Sequence, residues 1–168
     1  MQQGWVALLS KELQRRGTDI SVINASISGD TTQGGLTRLP KLLQQHKPAL
    51  VIIELGGNDG LRGTPIKRIK QNLQRMIQLC REVGSDIILA GMQIPPNYGR
   101  KYTQSFRELF PTLAENDKTL LIPFLLQQVV DKQGMMQADG IHPTVAAQPL
   151  IVAEALPVLD QWLKTQTP

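Results

Sequence analysis

The chain has 168 residues, with 18 basic and 14 acidic side chains and therefore a mild formal charge of +4. Its length suits one domain with a sizeable core, and its scattered basic residues, with only two Trp, two Tyr and three Phe, argue against a single-stranded nucleic-acid binder. No run approaches the length of a membrane span, and the single cysteine, Cys80, excludes an intrachain disulfide and a multi-cysteine metal site. We therefore expect one domain over residues 1–168, with no nucleic-acid partner and no stable membrane anchor.

Helical and strand patterns alternate along the chain. The clearest helix is predicted over residues 65–83, where apolar side chains recur at helical spacing and basic ones occupy the other face. The nearly continuous apolar run 49–55 is typical of a strand covered on both faces, and the glycine-rich run 56–60 predicts a sharp loop after it. In chain order, the patterns predict helices over 4–16, 31–46 with an interruption at Pro40, 65–83, 101–115, 125–130 and from Pro143 to about 165, and strands over 19–25, 49–55, 86–92 and 119–124.

This alternation predicts an α/β fold with a parallel sheet. In such sheets, ligand sites lie outside the carboxyl ends of the strands. The loops that follow the predicted strands should therefore carry the chemistry, and they are also where small and polar residues gather. These loops are residues 26–31, 56–63, 93–100 and 135–143.

The strongest local signal is an acid–base pair near the end of the chain, Asp139 and His142. Gly140 between them permits a tight turn, in which the carboxylate would fix the imidazole tautomer and stabilise its charged form. The alternative is a contact that only caps the following helix, with Pro143 at the first helical position.

Two further segments could stabilise developing negative charge. Asn58 follows two consecutive glycines, which let the backbone approach a ligand, and could point an amide donor at an oxyanion. Gly29 could offer a backbone N–H at the start of a helix. The alternatives are an ordinary turn over residues 56–59 and a helix N-cap at Asp30 or Thr31.

A nucleophile to match these groups is missing from the sequence. Neither a G-x-S-x-G nor an S-x-x-K motif occurs, and Ser28, the serine nearest to a suitable turn, lies directly beside Gly29. Cys80 falls on the apolar stripe of the helix predicted over 65–83, which favours a structural thiol.

Together, these segments resemble the SGNH, or GDSL-type, serine hydrolases, and within them the bacterial thioesterase I, lysophospholipase and arylesterase group. The resemblance covers essentially the whole chain, and four blocks in the family's order are more specific than any one of them. The blocks are residues 24–30 (NASISGD), 54–63 (ELGGNDGLRG), 96–99 (PNYG) and 139–143 (DGIHP) with 147–149 (AQP).

The resemblance implies a role for the candidate residues. Gly29 and Asn58 match the family's oxyanion-hole residues, and Asp139 and His142 match the acid and the base of its Ser-His-Asp triad. The implied fold is three-layered and flavodoxin-like, with a parallel sheet of five strands between helices and the first strand in a central position.

The resemblance also implies the substrate class, which is a small-molecule carboxylic ester or acyl thioester, and the absence of a cofactor. Gly60 and Leu61 match the start of a loop that shifts when acyl chains bind, and with Tyr98 they are predicted to contact the substrate. The group is commonly exported, so the resemblance implies a periplasmic location, although the start of the chain has no signal-peptide pattern.

The family's first block does not occur in this sequence. That block is a strand ending in Gly-Asp-Ser-Leu, which carries the nucleophilic serine, whereas the only Gly-Asp pair here, Gly29-Asp30, is followed by Thr31. We therefore expect a hydrolase domain truncated at its N-terminus, without the central strand and the serine. One alternative is a catalytically inactive acyl-binding remnant or interaction domain. Another is a metal-dependent phosphoesterase with ligands drawn from Asp30, Asn58, Asp59, Asp139 and His142.

Overall fold

The computed structural model describes residues 4–166, and the chain divides into two compact units. One unit is the continuous segment Ile27–Phe124, and the other combines the segment up to Ser26 with the segment from Leu125 onwards. In chain order, the elements are α1 (Trp5–Arg15), α2 (Thr32–His46), β1 (Leu50–Ile53), α3 (Gly57–Leu61), α4 (Ile66–Glu82), β2 (Asp86–Ala90), a 3-10 turn (Pro96–Tyr98), α5 (Arg100–Asn116), β3 (Leu120–Ile122), a second 3-10 turn (Val145–Ala147) and α6 (Gln148–Gln166). Within the described range, no helix combines the length and the apolar character needed to cross a bilayer.

A parallel sheet of three strands lies in the unit Ile27–Phe124. β2 is the middle strand and pairs with β1 on one side and with β3 on the other, where Ala90 lies opposite Ile122. Ile88 and Leu89 of β2 are fully buried, as expected for a strand covered on both faces. The predicted α/β fold with a parallel sheet is therefore confirmed.

The strand predicted over residues 19–25 is not formed. These residues have no regular secondary structure, and the sheet of the described residues contains only β1, β2 and β3. An apolar segment becomes a strand only where a neighbouring strand takes up its backbone hydrogen bonds. Here the Ser26 N–H donates instead to the Asn24 side chain over 3.0 Å, and Ile23 is 51% exposed. The three-stranded sheet is consistent with the expectation that the family's central strand is missing from this sequence.

Helices α4 and α5 supply much of the core of this unit. The helix predicted over residues 65–83 is confirmed as α4, because Ile69, Leu73 and Ile77 recur at helical spacing and are at most 1% exposed. In α5, the rings of Phe106 and Phe110 lie edge to face with their centroids 5.5 Å apart, which is a favourable aromatic geometry. These side chains belong to one buried cluster with residues of β1 and β2, and this cluster supports α3.

Two predicted breaks in this unit are wrong. Pro40 does not interrupt α2, which continues through it. The buried side chains of Leu39 and Leu43 hold the helix, and their packing outweighs the backbone hydrogen bond that a proline removes. The predicted glycine-rich loop is instead the short helix α3, in which Gly60 N–H donates to Gly56 O over 2.8 Å. Gly56 has φ +124°, which glycine alone adopts easily.

The other unit is built on α1 and α6. Leu9 and Leu13 of α1 are buried, and the Arg16 guanidinium lies 2.9 Å from the Asp160 carboxylate of α6. The helix predicted over residues 4–16 is confirmed as α1. The buried side chains that α6 contributes are Ile151, Val152, Ala155, Leu159 and Trp162.

Two helix predictions in this unit are wrong. Residues 125–130 form consecutive turns, in which the N–H groups of Val129 and Val130 both donate to Leu126 O. The last helix begins at Gln148, after the 3-10 turn Val145–Ala147, and not at Pro143. Pro143 is held in an antiparallel bridge with Met136, which keeps this stretch of backbone extended.

A close approach between β2 and the end of β3 requires glycine at position 91. Gly91 N–H donates to Ile122 O over 2.7 Å, and a Cβ at this position would lie 2.0 Å from Pro123 O. Because a backbone oxygen cannot move aside easily, Gly91→Ala is expected to lower the free energy of unfolding by about 3 kcal/mol. Urea unfolding measures this, with Gly57→Ala as the control, whose Cβ would meet only the flexible Met92 Sδ at 3.4 Å. Equal unfolding midpoints for the two variants would contradict the steric argument.

Candidate active site

Asp139 and His142 meet in a tight turn. Asp139 Oδ2 lies 2.8 Å from His142 Nδ1, and Asp139 Oδ1 accepts the backbone N–H groups of Ile141 (2.9 Å) and His142 (3.0 Å). Gly140 makes the turn with φ +66°, a conformation that side chains other than glycine rarely adopt. The carboxylate is therefore bonded at both oxygens and holds the imidazole through Nδ1, which leaves Nε2 for proton transfer.

These hydrogen bonds favour the charged form of the carboxylate. They lower the pKa of Asp139 from its ordinary value of 3.8 to about 2, with the backbone N–H of His142 contributing most, followed by the His142 side chain and the Ile141 N–H. His142 is 66% exposed and Asp139 is 43% exposed. The shift therefore comes from hydrogen bonding and not from burial, and the carboxylate remains an acceptor for Nδ1 at any pH well above about 2.

The turn is tied to the helices of its own unit. Next to the bridge between Met136 and Pro143, Thr144 N–H donates to Met135 O over 2.8 Å. The Gln148 side chain then donates to Thr144 O over 3.0 Å, while its Oε1 accepts the Trp5 N–H at 2.8 Å. Gln148 thus connects the catalytic candidates to the starts of α1 and α6.

The Asp139 carboxyl group is expected to titrate with a midpoint near 2. Because its folded pKa lies below its unfolded value, its contribution to stability is complete above about 3.8 and is lost as the pH falls through about 2. Carbon NMR of the side-chain carboxyl measures the midpoint directly. In His142→Ala, the side-chain hydrogen bond is lost while the backbone bonds remain, so the midpoint should rise part of the way. A wild-type midpoint near 3.8 would contradict the geometry.

Asn58 and Gly29 lie in the unit Ile27–Phe124 and are linked through Asp30, the residue that follows Gly29. Asn58 of α3 donates through Nδ2 to Asp30 O over 3.0 Å. Gly29 precedes Asp30, has φ +76°, and accepts at its own carbonyl from Arg62 Nη2 at 3.3 Å. A side-chain amide carries two hydrogens, and within residues 4–166 neither the second Asn58 hydrogen nor the Gly29 N–H has an acceptor. The loop and the helix therefore each offer one N–H donor to a ligand.

The carboxylates beside these donors already have hydrogen-bond partners. Asp30 Oδ2 pairs with Arg38 Nε at 2.8 Å, and its Oδ1 accepts the Thr31 N–H at 2.9 Å. Asp59 accepts a hydrogen bond from Thr32 at each oxygen, both of 2.7 Å. In the part of the chain that the structure describes, no group of three or more His, Cys, Asp or Glu is placed to hold a metal ion. Asp30 and Asp59 thus serve as acceptors within the protein.

The residues predicted to contact substrate lie in α3 and in the turn after β2. Gly60 is packed closely, because an added Cβ would lie 2.7 Å from Ile94 Cγ2 and 2.8 Å from Phe106 Cε2. Leu61 is partly buried against the same core, and Tyr98, in its 3-10 turn, is 38% exposed. A contact between these residues and a substrate stays a prediction.

Thr32 and Asn72, two buried polar residues linked by hydrogen bonds to Asp59, were not predicted from the sequence, and Asp59 was considered there only as a possible metal ligand. Thr32, Asp59 and Asn72 are at most 8% exposed. The sequence holds one signal for them, since Asn72 lies three residues after Ile69 and four before Met76 and therefore falls on the apolar face of α4. A polar side chain on a buried face indicates a hydrogen-bond partner elsewhere in the fold.

The site residues thus form two pairs, one in each unit. Asp139 and His142 are an acid–base pair, and Gly29 and Asn58 are a pair of hydrogen-bond donors. These are the chemical parts that acyl transfer requires in addition to a nucleophile.

The match to a known family is consistent with this chemistry. The model of the GDSL-like lipase/acylhydrolase family matches residues 1–149, a span that contains every candidate site residue from Gly29 to His142. The chain therefore belongs to this family, and its resemblance to the SGNH, or GDSL-type, hydrolases is confirmed.

Curated relatives of the chain are esterases and thioesterases by name. Esterase TesA of Pseudomonas aeruginosa is 55% identical over 161 residues, which make up 96% of this chain and 80% of the relative. The arylesterase of Vibrio mimicus is 48% identical over 90% of this chain and 76% of its own length. Thioesterase 1/protease 1/lysophospholipase L1 of Escherichia coli K12 is 46% identical over 88% of this chain and 69% of its own length. These relatives support ester hydrolysis as the class of reaction.

Solved structures agree on the fold. The crystal structure of TesA superimposes with a TM-score of 0.90 at 54% identity and covers 94% of this chain and 88% of that protein. Esterase EstA from Pseudoalteromonas sp., inhibited by monoethylphosphonate, gives a TM-score of 0.92 at 40% identity, with coverage of 97% and 89%. AlinE4, an SGNH-hydrolase family esterase, gives 0.76 at 37% identity, with coverage of 94% and 85%. The chain has the α/β fold of the SGNH hydrolases.

Proposed function

We propose that this chain serves the hydrolysis of carboxylic esters or acyl thioesters by a Ser-His-Asp mechanism, in which the serine comes from the family's first block. The observation that carries the proposal is the 2.8 Å contact between Asp139 Oδ2 and His142 Nδ1. A carboxylate at Nδ1 selects the tautomer whose Nε2 lone pair can take a proton, and it stabilises the imidazolium that results. Because His142 is 66% exposed, a small-molecule substrate can reach its ring.

In the proposed reaction, the serine hydroxyl attacks the acyl carbonyl carbon while His142 Nε2 takes its proton. His142 then gives this proton to the leaving alcohol or thiol, and an acyl-enzyme forms. Water hydrolyses the acyl-enzyme by the same sequence of proton transfers. Asp139 orients the ring throughout and remains ionised, because its pKa is held at about 2.

The Gly29 N–H and the Asn58 side-chain amide are the proposed oxyanion donors. Negative charge develops on the substrate carbonyl oxygen during attack, and donors that already point at that oxygen stabilise it without reorganisation. The bond from Asn58 Nδ2 to Asp30 O, at 3.0 Å, fixes the direction of the amide and leaves its second hydrogen for the substrate.

Thr31, and not serine, follows the only Gly-Asp pair of the sequence. Whether the protein is an enzyme or an acyl-binding remnant therefore depends on whether a nucleophilic serine is supplied. The experiment compares the 168-residue chain with the same chain preceded by a Gly-Asp-Ser-Leu strand from a relative. A matched control carries alanine in place of that strand's serine. Hydrolysis of a short-chain aryl ester and of an acyl-CoA measures turnover, and a serine-reactive phosphonate measures labelling.

Turnover and labelling that require the serine of the added strand would support the proposal. Turnover by the unextended chain would show that one of its own residues replaces the serine. A folded, serine-bearing form without turnover would favour the acyl-binding remnant, which binding of a fluorescent fatty acid would then measure. The ratio of aryl-ester to acyl-CoA turnover separates an esterase from a thioesterase.

A further inference from the structure

Asp59 of α3 is a buried carboxylate with both oxygens bonded to one residue. Asp59 is only 3% exposed. Burying a carboxylate destabilises the fold unless its oxygens accept hydrogen bonds. Thr32, the first residue of α2, donates its backbone N–H to Oδ2 and its hydroxyl to Oδ1, each over 2.7 Å. Asp59 therefore holds the start of α2 against α3 at two points.

A third buried residue sets the direction of these hydrogen bonds. Asn72 of α4 donates through Nδ2 to Thr32 Oγ1 over 3.0 Å. Since the Thr32 hydroxyl accepts this bond and has one hydrogen of its own, that hydrogen points to Asp59. The result is a directed chain from α4 through α2 to α3, in which Asn72, Thr32 and Asp59 are 8%, 0% and 3% exposed.

The two proposed oxyanion donors lie next to Asp59 and Thr32 in the chain. Asn58 immediately precedes Asp59 in α3 and bonds to Asp30 O (3.0 Å), while Gly29 lies just before Asp30. Helix α3 and its C-terminal end thus contact this stretch of chain at three positions. Asn58 donates to Asp30 O, Asp59 accepts from Thr32 at the start of α2, and the exposed Arg62 donates to Gly29 O. Of these contacts, only the one made by Asp59 is fully buried and therefore shielded from competition by water.

We propose that Asp59, held by Thr32 and Asn72, is a positioning residue that fixes the two oxyanion donors Gly29 and Asn58 relative to each other. This inference rests on the proposed function, because it concerns the donors of that reaction. Donors stabilise an oxyanion only at hydrogen-bond distance, and a misplacement of about 1 Å costs on the order of 100-fold in rate. A loop anchored only at its exposed end would not hold that geometry.

Asp59→Asn tests the proposal with almost no change in volume. In one orientation the new N–H group faces the Thr32 backbone N–H, and in the other it faces the Thr32 hydroxyl, which must then accept and loses the acceptor of its own hydrogen. Amide NMR of the chain itself gives a reading that needs no activity. We expect Asp59→Asn and Thr32→Val to shift the NMR signals of the Gly29 backbone amide and of the Asn58 side-chain amide. The conservative Thr32→Ser retains both donors to Asp59 and is expected to rescue the effect of Thr32→Val.

Ser85→Ala is the matched control. Ser85 lies just before β2, is 4% exposed and donates to Pro48 O over 2.6 Å. Its replacement therefore removes a comparable hydrogen bond at a position distant in sequence from Gly29 and Asn58. It should lower thermal stability without moving the Gly29 or Asn58 amides. Unchanged amides in both Asp59→Asn and Thr32→Val, or the same shifts in Ser85→Ala, would overturn the positioning role.

Kinetics in the serine-bearing form give the second reading. Asp59→Asn is expected to lower kcat about 10- to 100-fold while KM stays nearly constant, because the donors act on the transition state and not on the bound ester. A rise in KM with unchanged kcat would overturn the proposal. If no form hydrolyses esters, the proposed function fails by itself, and the amide shifts still decide whether Asp59 positions this loop.

Discussion

Replacing His142 with alanine is expected to lower kcat by about four to six orders of magnitude. Without the imidazole, no group takes the proton from the serine hydroxyl or returns it to the leaving group, and both steps of acyl transfer slow down. KM should change little, because the ring acts on protons that move only in the transition state. The measurement is steady-state hydrolysis of a short-chain aryl ester by the form of the protein that carries the serine.

His46→Ala is the matched control, because His46 is the only other histidine of the sequence. It is the last residue of α2, where a histidine can interact with the C-terminal end of the helix, and its removal should leave kcat unchanged. Equal losses in the two variants, or wild-type turnover in His142→Ala, would contradict the assigned base. NMR of the ring nitrogens offers a reading without turnover, since the neutral His142 ring should carry its proton on Nδ1, and Asp139→Asn should disturb this tautomer.

Features that depend on neighbours in the sequence could be predicted. The apolar stripe of α4 is visible because Ile69, Leu73 and Ile77 repeat with the helical period and all reach the core. The contact between Asp139 and His142 could be predicted for a similar reason. The two residues are three positions apart with Gly140 between them, which is close enough for the carboxylate to reach the imidazole. In both cases, the sequence spacing alone sets the geometry.

Features that depend on distant residues could not be predicted. Helix α3 has the composition of a turn, yet its Asp59 bonds to Thr32, 27 positions earlier in the chain, and this tertiary contact stabilises a helix that propensity disfavours. The strand predicted over residues 19–25 fails for the opposite reason. Its apolar pattern is suitable, but a strand also needs a partner, and no local pattern reports whether the partner is present.

Asn58→Ala is expected to lower kcat about 100- to 1000-fold, the usual cost of removing one oxyanion donor. The residual rate should exceed that of His142→Ala, because Asn58→Ala keeps the base His142 and loses only one of the three oxyanion donors. KM should be nearly unchanged, since the ground-state carbonyl oxygen needs the donor much less than the tetrahedral intermediate does. The same aryl-ester assay measures the loss, and a phosphonate that mimics the tetrahedral intermediate should label the variant more slowly.

The Asn58 side chain also bonds to Asp30 O (3.0 Å), so a loss of activity must be separated from a loss of structure. Asn116→Ala is the control, because Asn116 is the exposed last residue of α5 and its removal takes away the same amide without touching the loop. Thermal unfolding of both variants shows how much of the fold each one retains. A folded Asn58→Ala protein whose kcat falls less than about tenfold would remove this amide from the oxyanion hole. A loss of the expected size, with the amide of Gly29 unmoved in the NMR spectrum, would show that the Asn58 amide acts on the substrate directly and not only through the loop that it holds.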